Sequence, residues 1–245
     1  MKGTIKPKIS IVTVTYNAVE TLEKTIESVI NQTYSNKEYI IVDGNSTDGT
    51  IDIIKKFNNH ISIWISEKDK GIYDAMNKAA SLATGDWIIF INSGDSFYKN
   101  DILQNIFESN DWHETSKYDV IYGNTRIFDI HGSFIILGRN IRLMKIKMPF
   151  CHQSCIMRTK ILRSNPFDLK YKISADYNLF YHLYLKKFKF KYINKTISNY
   201  NNEGYSQKNE LKMYKENYQI NNQKIINSYI YIKTFIRKLF SKKIS

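Results

Sequence analysis

Acidic side chains at the ends of apolar runs are the first candidates for chemistry in this chain of 245 residues. Asn92-Ser93-Gly94-Asp95 follows the run Trp87 to Ile91. Asp95 in that place can bind a hard cation such as Mg2+ or Mn2+ through oxygen, leaving positions for water and substrate phosphates. The same four residue types are also ordinary turn formers. Asp43 closes Tyr39-Ile40-Ile41-Val42 and opens the polar turn Gly44-Asn45-Ser46-Thr47-Asp48-Gly49. It can accept hydrogen bonds from a nucleobase, or cap the helix that follows. Asp176 opens a helical segment and reads either as its N-terminal cap or as a general base, because an Asp is ionised near neutral pH. His152, followed by Gln153-Ser154, reads as a structural histidine or as a contact to a diphosphate or an acceptor hydroxyl.

The elements that must position these groups alternate over the first hundred residues. Ile9 to Thr15 is β-branched and reads as a buried strand. Thr21 to Ile30 carries apolar residues at 22, 26, 29 and 30, a helical spacing. Strands are expected at Tyr39–Asp43, Ile61–Ile65 and Trp87–Asn92, with helices over Thr50–Phe57 and Ile72–Leu82, the last ending near Gly85. This order predicts a mostly parallel, helix-covered sheet. Ligands of such sheets bind at the carboxyl ends of the strands. Polar residues gather there: Thr15-Tyr16-Asn17, Asp43, Glu67 to Asp69, and Asn92 to Asp95. Farther on, Val120–Asn124 and Cys155–Met157 read as strands, Met148–Ser154 as a loop and Asp176–Leu185 as a helix. Lys186–Ile193 alternates Lys with aromatics like a one-sided strand, and the chain reads as helix from Lys208 to its end.

Composition narrows the classes. With 42% hydrophobic and 24% charged residues, 10 Gly and 3 Pro, the chain is globular rather than disordered or collagen-like. No run of about 18 apolar residues exists, so no transmembrane helix is expected. No apolar leader core follows the charged N-terminus, so the expected location is the cytoplasm. Cys151 and Cys155 read as buried small hydrophobes. No G-x-x-x-x-G-K-[ST], G-x-G-x-x-G or G-x-S-x-G motif occurs, which argues against P-loop, dinucleotide-binding and serine-hydrolase chemistry. The net charge of +13 points to a polyanionic partner. Nucleic acid is a poor candidate, because no helix-turn-helix, zinc-finger or RNP signature accompanies that charge.

Several ordered motifs resemble the family 2 glycosyltransferases. Ile9 to Asn17 resembles the family's opening strand; Gln32-Thr33-Tyr34 and Val42-Asp43-Gly44-Asn45-Ser46-Thr47-Asp48-Gly49-Thr50 follow in the family's order. Glu67 to Ala79 and Ala83-Thr84-Gly85-Asp86 come next, and Asp69 to Lys78 is the most specific stretch, similar to bacterial enzymes that build surface polysaccharides. His152-Gln153-Ser154, Ala175-Asp176-Tyr177 and Glu203-Gly204-Tyr205-Ser206 continue the match, so the likeness covers about residues 8–206.

The resemblance implies a GT-A fold: one Rossmann-like α/β domain over 1–206, with helices on both faces of a mostly parallel sheet, and a helical extension over 207–245. It implies inverting transfer from a nucleotide sugar, usually UDP-linked, to a glycan or lipid-linked acceptor. Tyr16 sits where the family places a residue against the base, Asp43 where it hydrogen-bonds that base, and Asp69 near the sugar nucleotide. Thr15, Asn17, Lys70, Asn77, Ser93 and Gly94 complete the expected donor site. Asp95 is the last position of the D-x-D region and the expected Mn2+ or Mg2+ ligand. Asp176 matches the catalytic base, and His152 and Gln153 fall on the acceptor or diphosphate side. Two departures stand out. Asn92-Ser93-Gly94-Asp95 keeps one acid where relatives carry two or three, which leaves room for a catalytically weak subunit. Ser164-Asn165-Pro166-Phe167-Asp168 replaces a Gly-Gly-Phe-Asp.

After Glu216 the chain has no acids and six bases. Ile225, Tyr229, Ile232, Ile236, Leu239 and Phe240 fall between those bases at helical spacing. Residues 224–245 thus read as a basic amphipathic helix suited to an anionic membrane surface, and the expected location is peripheral on the inner face of the cell membrane.

Overall fold

The computed structural model describes residues 6–129, 132–202 and 209–222. Its nine strands are β1 (Ile9–Thr15), β2 (Lys37–Asp43), β3 (Ile63–Ser66), β4 (Trp87–Phe90), β5 (Ser96–Phe97), β6 (Val120–Asp129), β7 (Gly132–Ile136), β8 (Cys155–Arg158) and β9 (Phe190–Asn201). They form one sheet in the order β3-β2-β1-β4-β8-β6-β9-β5, with β7 hung on β6. The helices are α1 (Leu22–Ile30), α2 (Thr50–Lys56), α3 (Ile72–Leu82), α4 (Ile102–Phe107), α5 (Trp112–Thr115), α6 (Thr159–Ser164), α7 (Ala175–Leu185) and α8 (Glu210–Asn221).

Successive side chains of a strand point to opposite faces, so a strand covered on both faces buries both sets of side chains. All seven residues of β1 are buried. Val12 and Val14 join one core with Met76 and Ala79 of α3 and Leu183 of α7. Ile9 and Ile11 join the other with Ile26 and Val29 of α1 and Leu103 of α4. Strands β3-β2-β1-β4 are parallel, as the alternation of elements predicts. Beyond β4 the sheet is mixed: β8 runs antiparallel to both β4 and β6, whereas β9 runs parallel to β6.

Glu38 ties the exit of α3 to the sheet. Its buried carboxylate accepts from Ser10 Oγ (2.5 Å), Thr84 N and Oγ1 (both 2.5 Å) and Gly85 N (3.0 Å), and pairs with Lys8 Nζ (2.6 Å). Burial by itself would raise this carboxyl, but the Lys8, Ser10 and Thr84 contacts outweigh it and hold the pKa down to about 2.

Three stretches depart from the expected elements. The strand read at Lys186–Ile193 begins only at Phe190, because α7 ends in a Schellman turn. Phe188 N donates to Leu183 O, Lys187 N donates to Tyr184 O, and Lys187 takes the left-handed conformation (φ 62°) without being glycine. The helix read from Lys208 stops at Asn222, also left-handed (φ 52°). The expected membrane helix at 224–245, and the Glu203-Gly204-Tyr205-Ser206 motif, lie outside the described residues. Within the extension read over 207–245, α8 packs on α7: Asn221 Nδ2 donates to Tyr177 OH (2.9 Å) and to Ile146 O (3.0 Å).

Candidate active site

Parallel pairing in register brings three strand ends together: Thr15 lies opposite Asp43, and Asp43 opposite Ser66. Asp43 is fully buried, and its carboxylate accepts from Ser46 N (2.9 Å), Ser46 Oγ (2.5 Å) and Ser66 Oγ (2.6 Å). It shapes the turn after β2. It does not cap α2, whose first turn is held by Asp48 through Thr50 N (3.0 Å) and Thr50 Oγ1 (2.6 Å). Asn17 (φ 45°) joins the two loops: its backbone N donates to Ser46 Oγ (2.8 Å) and its Oδ1 accepts from Thr47 N (2.9 Å). The exits of β1 and β2 are therefore one polar unit.

On this unit Tyr16 presents a ring that is 64% exposed. Gly44 lies between that ring and Asp69: a Cβ there would come within 3.2 Å of Tyr16 Cδ2 and 2.7 Å of Asp69 Oδ2. Asp69 is fixed by Gly71 N, which donates to Oδ1 at 2.8 Å. An open aromatic face and a carboxylate edge over bare backbone make a slot for a planar ring that donates an N–H. Thr15 Oγ1 is buried here without a hydrogen-bond partner. The side chain of Lys70 is exposed at the rim, while Lys78 is tied to Glu67 (2.8 Å) and to Lys68 O (3.1 Å). Asn77 is not brought to this slot. Its amide pairs both ways with Phe167, donating to O and accepting from N at 2.9 Å each, and so pins α3 to the segment before α7.

The second centre lies beyond β4. Gly94 takes φ 93°, and the loop is stitched to α1 by Thr25, whose Oγ1 accepts from Gly94 N (3.0 Å) and donates to Asp95 O (2.8 Å). Ser93 N donates to Val14 O at 3.3 Å. Asp95 is only 5% exposed and accepts from Asn201 N at 3.1 Å. Burial pushes its carboxyl up to about 7, against partial offsets from Asn201 N–H, His152 and the Gln153 side chain. No cluster of three His, Cys, Asp or Glu side chains occurs among the described residues. Two oxygen groups of this loop are candidates to face a cation, the Asp95 carboxylate and Asn92 Oδ1, which is buried without a partner, with the His152 ring beside Asn92. That set fits a hard dication completing its shell with water and a diphosphate, and such a charge would relieve the buried carboxylate.

The third centre is Asp176, in the first turn of α7 rather than at its cap, Ser174. Its Oδ1 accepts from Tyr177 N (2.8 Å) and Tyr73 OH (3.1 Å), and its Oδ2 lies 3.5 Å from His152 Nδ1. His152 Nε2 lies 3.4 Å from Asn92 Nδ2. The short 3-10 turn His152–Ser154 thus bridges the two acids, Gln153 toward Asp95 and His152 toward Asp176. Tyr73 was not singled out from sequence, although it sits inside the specific stretch Asp69 to Lys78; Ser46 and Ser66 carried no distinguishing signal.

This geometry has parallels. Residues 10–165 match the family described as Glycosyl transferase family 2. A PGL/p-HBAD biosynthesis glycosyltransferase of Mycobacterium tuberculosis is 32% identical over 180 residues, covering 70% of this chain and 68% of that protein. The putative glycosyltransferase EpsE of Bacillus subtilis is 32% identical over 170 residues, covering 64% of this chain and 59% of its own. Among solved structures, S. aureus TarS 1-349 in complex with UDP-GlcNAc aligns with a TM-score of 0.68 at 19% identity, over 85% of this chain and 64% of that one. Mannosyltransferase PcManGT from Pyrobaculum calidifontis, in complex with GDP-Man and Mn2+, aligns at 0.65 with 15% identity, over 87% and 64%. Likeness at such identity speaks for the fold, a GT-A architecture, and this chain spans less than two thirds of those solved chains. A family match over more than half of the chain, on a sheet whose strand ends carry the expected acids, settles the assignment: the chain belongs to glycosyl transferase family 2.

Proposed function

We propose that the protein transfers a sugar, with inversion, from a UDP-linked donor to a hydroxyl of a glycan or lipid-linked acceptor during surface-polysaccharide assembly. The observation that carries this reading is the bridge of Gln153 and His152 between two acids of different character, the buried Asp95 and the part-exposed Asp176. Asp176 takes the proton of the acceptor hydroxyl. That oxygen forms a bond to the anomeric carbon while the bond to the diphosphate breaks on the opposite face, so one displacement inverts the centre. Asp95, with Asn92 Oδ1, would hold Mn2+ or Mg2+, which when bound offsets the charge gained by the leaving diphosphate. Lys70, whose exposed side chain makes no hydrogen bond or salt bridge among the described residues, would add to that. Tyr16, Gly44 and Asp69 receive the base: the ring stacks on it and the Asp69 carboxylate accepts an imide N–H. UDP-GlcNAc in TarS and Mn2+ in PcManGT support the donor class and the metal.

A lipid-linked acceptor would be met at the inner face of the cell membrane. Among the described residues no helix is long and apolar enough to cross a membrane. The contact proposed is made by the basic amphipathic residues 224–245, lying on the surface.

The test is a thermal melt with UDP or GDP, with and without Mn2+, on the native chain and on Asp176→Ala. UDP with Mn2+ should raise Tm in both proteins, and only the native chain should transfer sugar. Transfer by Asp176→Ala would remove Asp176 as the base. A GDP-only shift would change the donor. Nucleotide binding with no turnover by the native chain would favour the non-catalytic subunit, to which the single acid of the D-x-D region also points.

A further inference from the structure

The base Asp176 is aimed by the backbone that leads into α7. Three consecutive N–H groups of that segment point at one carboxylate on a distant helix. Glu216 of α8 accepts from Lys172 N at Oε1 (3.0 Å) and from Ile173 N and Ser174 N at Oε2 (both 2.9 Å). Glu216 is 8% exposed. The first N–H groups of a helix and its approach lack partners within the helix and need an acceptor from elsewhere. Ser174, the N-cap of α7, makes no side-chain cap bond; Glu216 holds the three amides that lead into the helix, not those of its first turn. From the opposite side, the single hydroxyl proton of Tyr73 of α3 is shared between Ile173 O (2.6 Å) and Asp176 Oδ1 (3.1 Å). The Tyr73 ring is locked by packing on Phe167 at 5.3 Å between centroids. Ile173 is therefore gripped at both ends of its backbone, by α8 through N–H and by α3 through C=O, three residues before the base.

We propose that Glu216 and Tyr73 are positioning residues for Asp176, and that α8 completes the catalytic centre. This rests on the reading of Asp176 as the base. Neither residue touches the base slot formed by Tyr16, Gly44 and Asp69, so their loss lowers kcat and leaves nucleotide affinity alone. Glu216 lies outside the 10–165 segment that matches the family, so this role belongs to the C-terminal part of the chain.

The distinction between Glu and Gln is informative. In Glu216→Gln the amide oxygen, set in the place of Oε2, keeps the bonds to Ile173 and Ser174, while the amide NH2 faces Lys172 N–H and the third bond is lost. Glu216→Ala loses all three.

The experiment uses the full chain, UDP-GlcNAc as donor probe and UDP release with water as acceptor. It is read beside UDP–Mn2+ affinity and amide hydrogen exchange of residues 172–177. Glu216→Ala should lower kcat by about a hundredfold, the size of effect that a displacement of about 1 Å produces. Glu216→Gln should recover most of that loss. Tyr73→Phe should lower kcat by about tenfold. UDP affinity and the KM for donor should hold in all three. In Glu216→Ala, exchange at 172–174 should rise at least tenfold with β1 to β4 unchanged. Native kcat in Glu216→Ala and Tyr73→Phe, or unchanged exchange at 172–174, overturns the proposal. Loss of UDP affinity in parallel with kcat also overturns it, since that marks general destabilisation. Should Glu216→Ala not fold, Glu216→Gln and Tyr73→Phe decide by the same criteria. Asp176→Ala is run beside them: if it still releases UDP at the native rate, the assignment of the base fails. If it is dead while the other variants are native, only the clamp fails.

Discussion

Asp95→Asn tests whether burial, rather than a missing partner, sets the behaviour of the metal-side acid. Asp95 is 5% exposed, and its carboxyl is pushed up to about 7. In the unfolded chain an Asp ionises near 3.9, so the folded state holds the proton through roughly three pKa units, worth about 4 kcal/mol at ~1.4 kcal/mol each. The sign follows from the raised value. Below pH 4 both states are protonated and there is no cost. Between pH 4 and 7 the unfolded chain alone ionises and stability falls; above pH 7 the cost is constant. Asn has the same shape, can still accept from Asn201 N, and never ionises. The metal-free variant should therefore match the native chain near pH 4 and exceed it at pH 8. With an unfolding entropy of about 2.1 cal/mol/K per residue over 245 residues, the gap is a Tm rise of roughly 8 °C. Melts in EDTA across pH 4 to 8 read it directly. Adding Mn2+ and UDP should then raise Tm in the native chain and not in the variant. Equal melting at pH 8, or a gap that does not change with pH, would refute the burial argument.

Other substitutions probe the remaining contacts. Gly44→Ala places a methyl between Asp69 Oδ2 and Tyr16 and should weaken UDP binding about tenfold, ~1.4 kcal/mol by titration, with the melt of the free protein unchanged. Asn77→Ala should cost about 2 kcal/mol of stability, for two lost hydrogen bonds to Phe167, and leave UDP affinity intact; weaker UDP binding at native stability would return Asn77 to the donor site. Glu38→Gln should lower Tm at pH 7 by several degrees. Because the folded carboxyl is held down to about 2, that advantage of the native chain is complete above about pH 4.3 and disappears as pH falls to 2, about 3 kcal/mol in all. Melts at pH 7 and pH 2.5 that show a constant gap would contradict this.

The donor half was legible because its information is local. Each strand of β1 to β4 is a short apolar run followed by a helix within twenty residues or so, and parallel pairing then brings the polar strand ends together. The acceptor half is made by pairings the sequence does not announce. β5 is two residues long and pairs with β9 a hundred positions away. Two helix ends escaped notice because Lys187 and Asn222, not glycines, take the left-handed conformation. His152 and Asp176 were candidates by residue type, but only the resemblance chose their functional reading, since nothing local separates a catalytic carboxylate from a capping one. Asn77 stood in the most specific motif, and its amide pairs with the backbone of Phe167, a contact no local pattern announces. The division at residue 206 followed the end of the motifs, yet α8 beyond it holds the approach to Asp176. Glu216 left no trace at all: a buried acceptor for backbone amides has no sequence spacing to find.

The pairing of Asp95 with Asn201 N and of β5 with β9 has a consequence for how the protein is made. During synthesis the strands that form the nucleotide slot emerge together and early, with short loops to close. Asp95 is translated with them but acquires its neighbour Asn201 only when residue 201 has left the ribosome, and the segment before Asp176 is gripped only after residue 216. A nascent or prematurely ended chain could thus shelter a nucleotide without being able to break it. On the proposed reading, competence for transfer would come late in folding, after the Tyr16–Asp69 slot has formed.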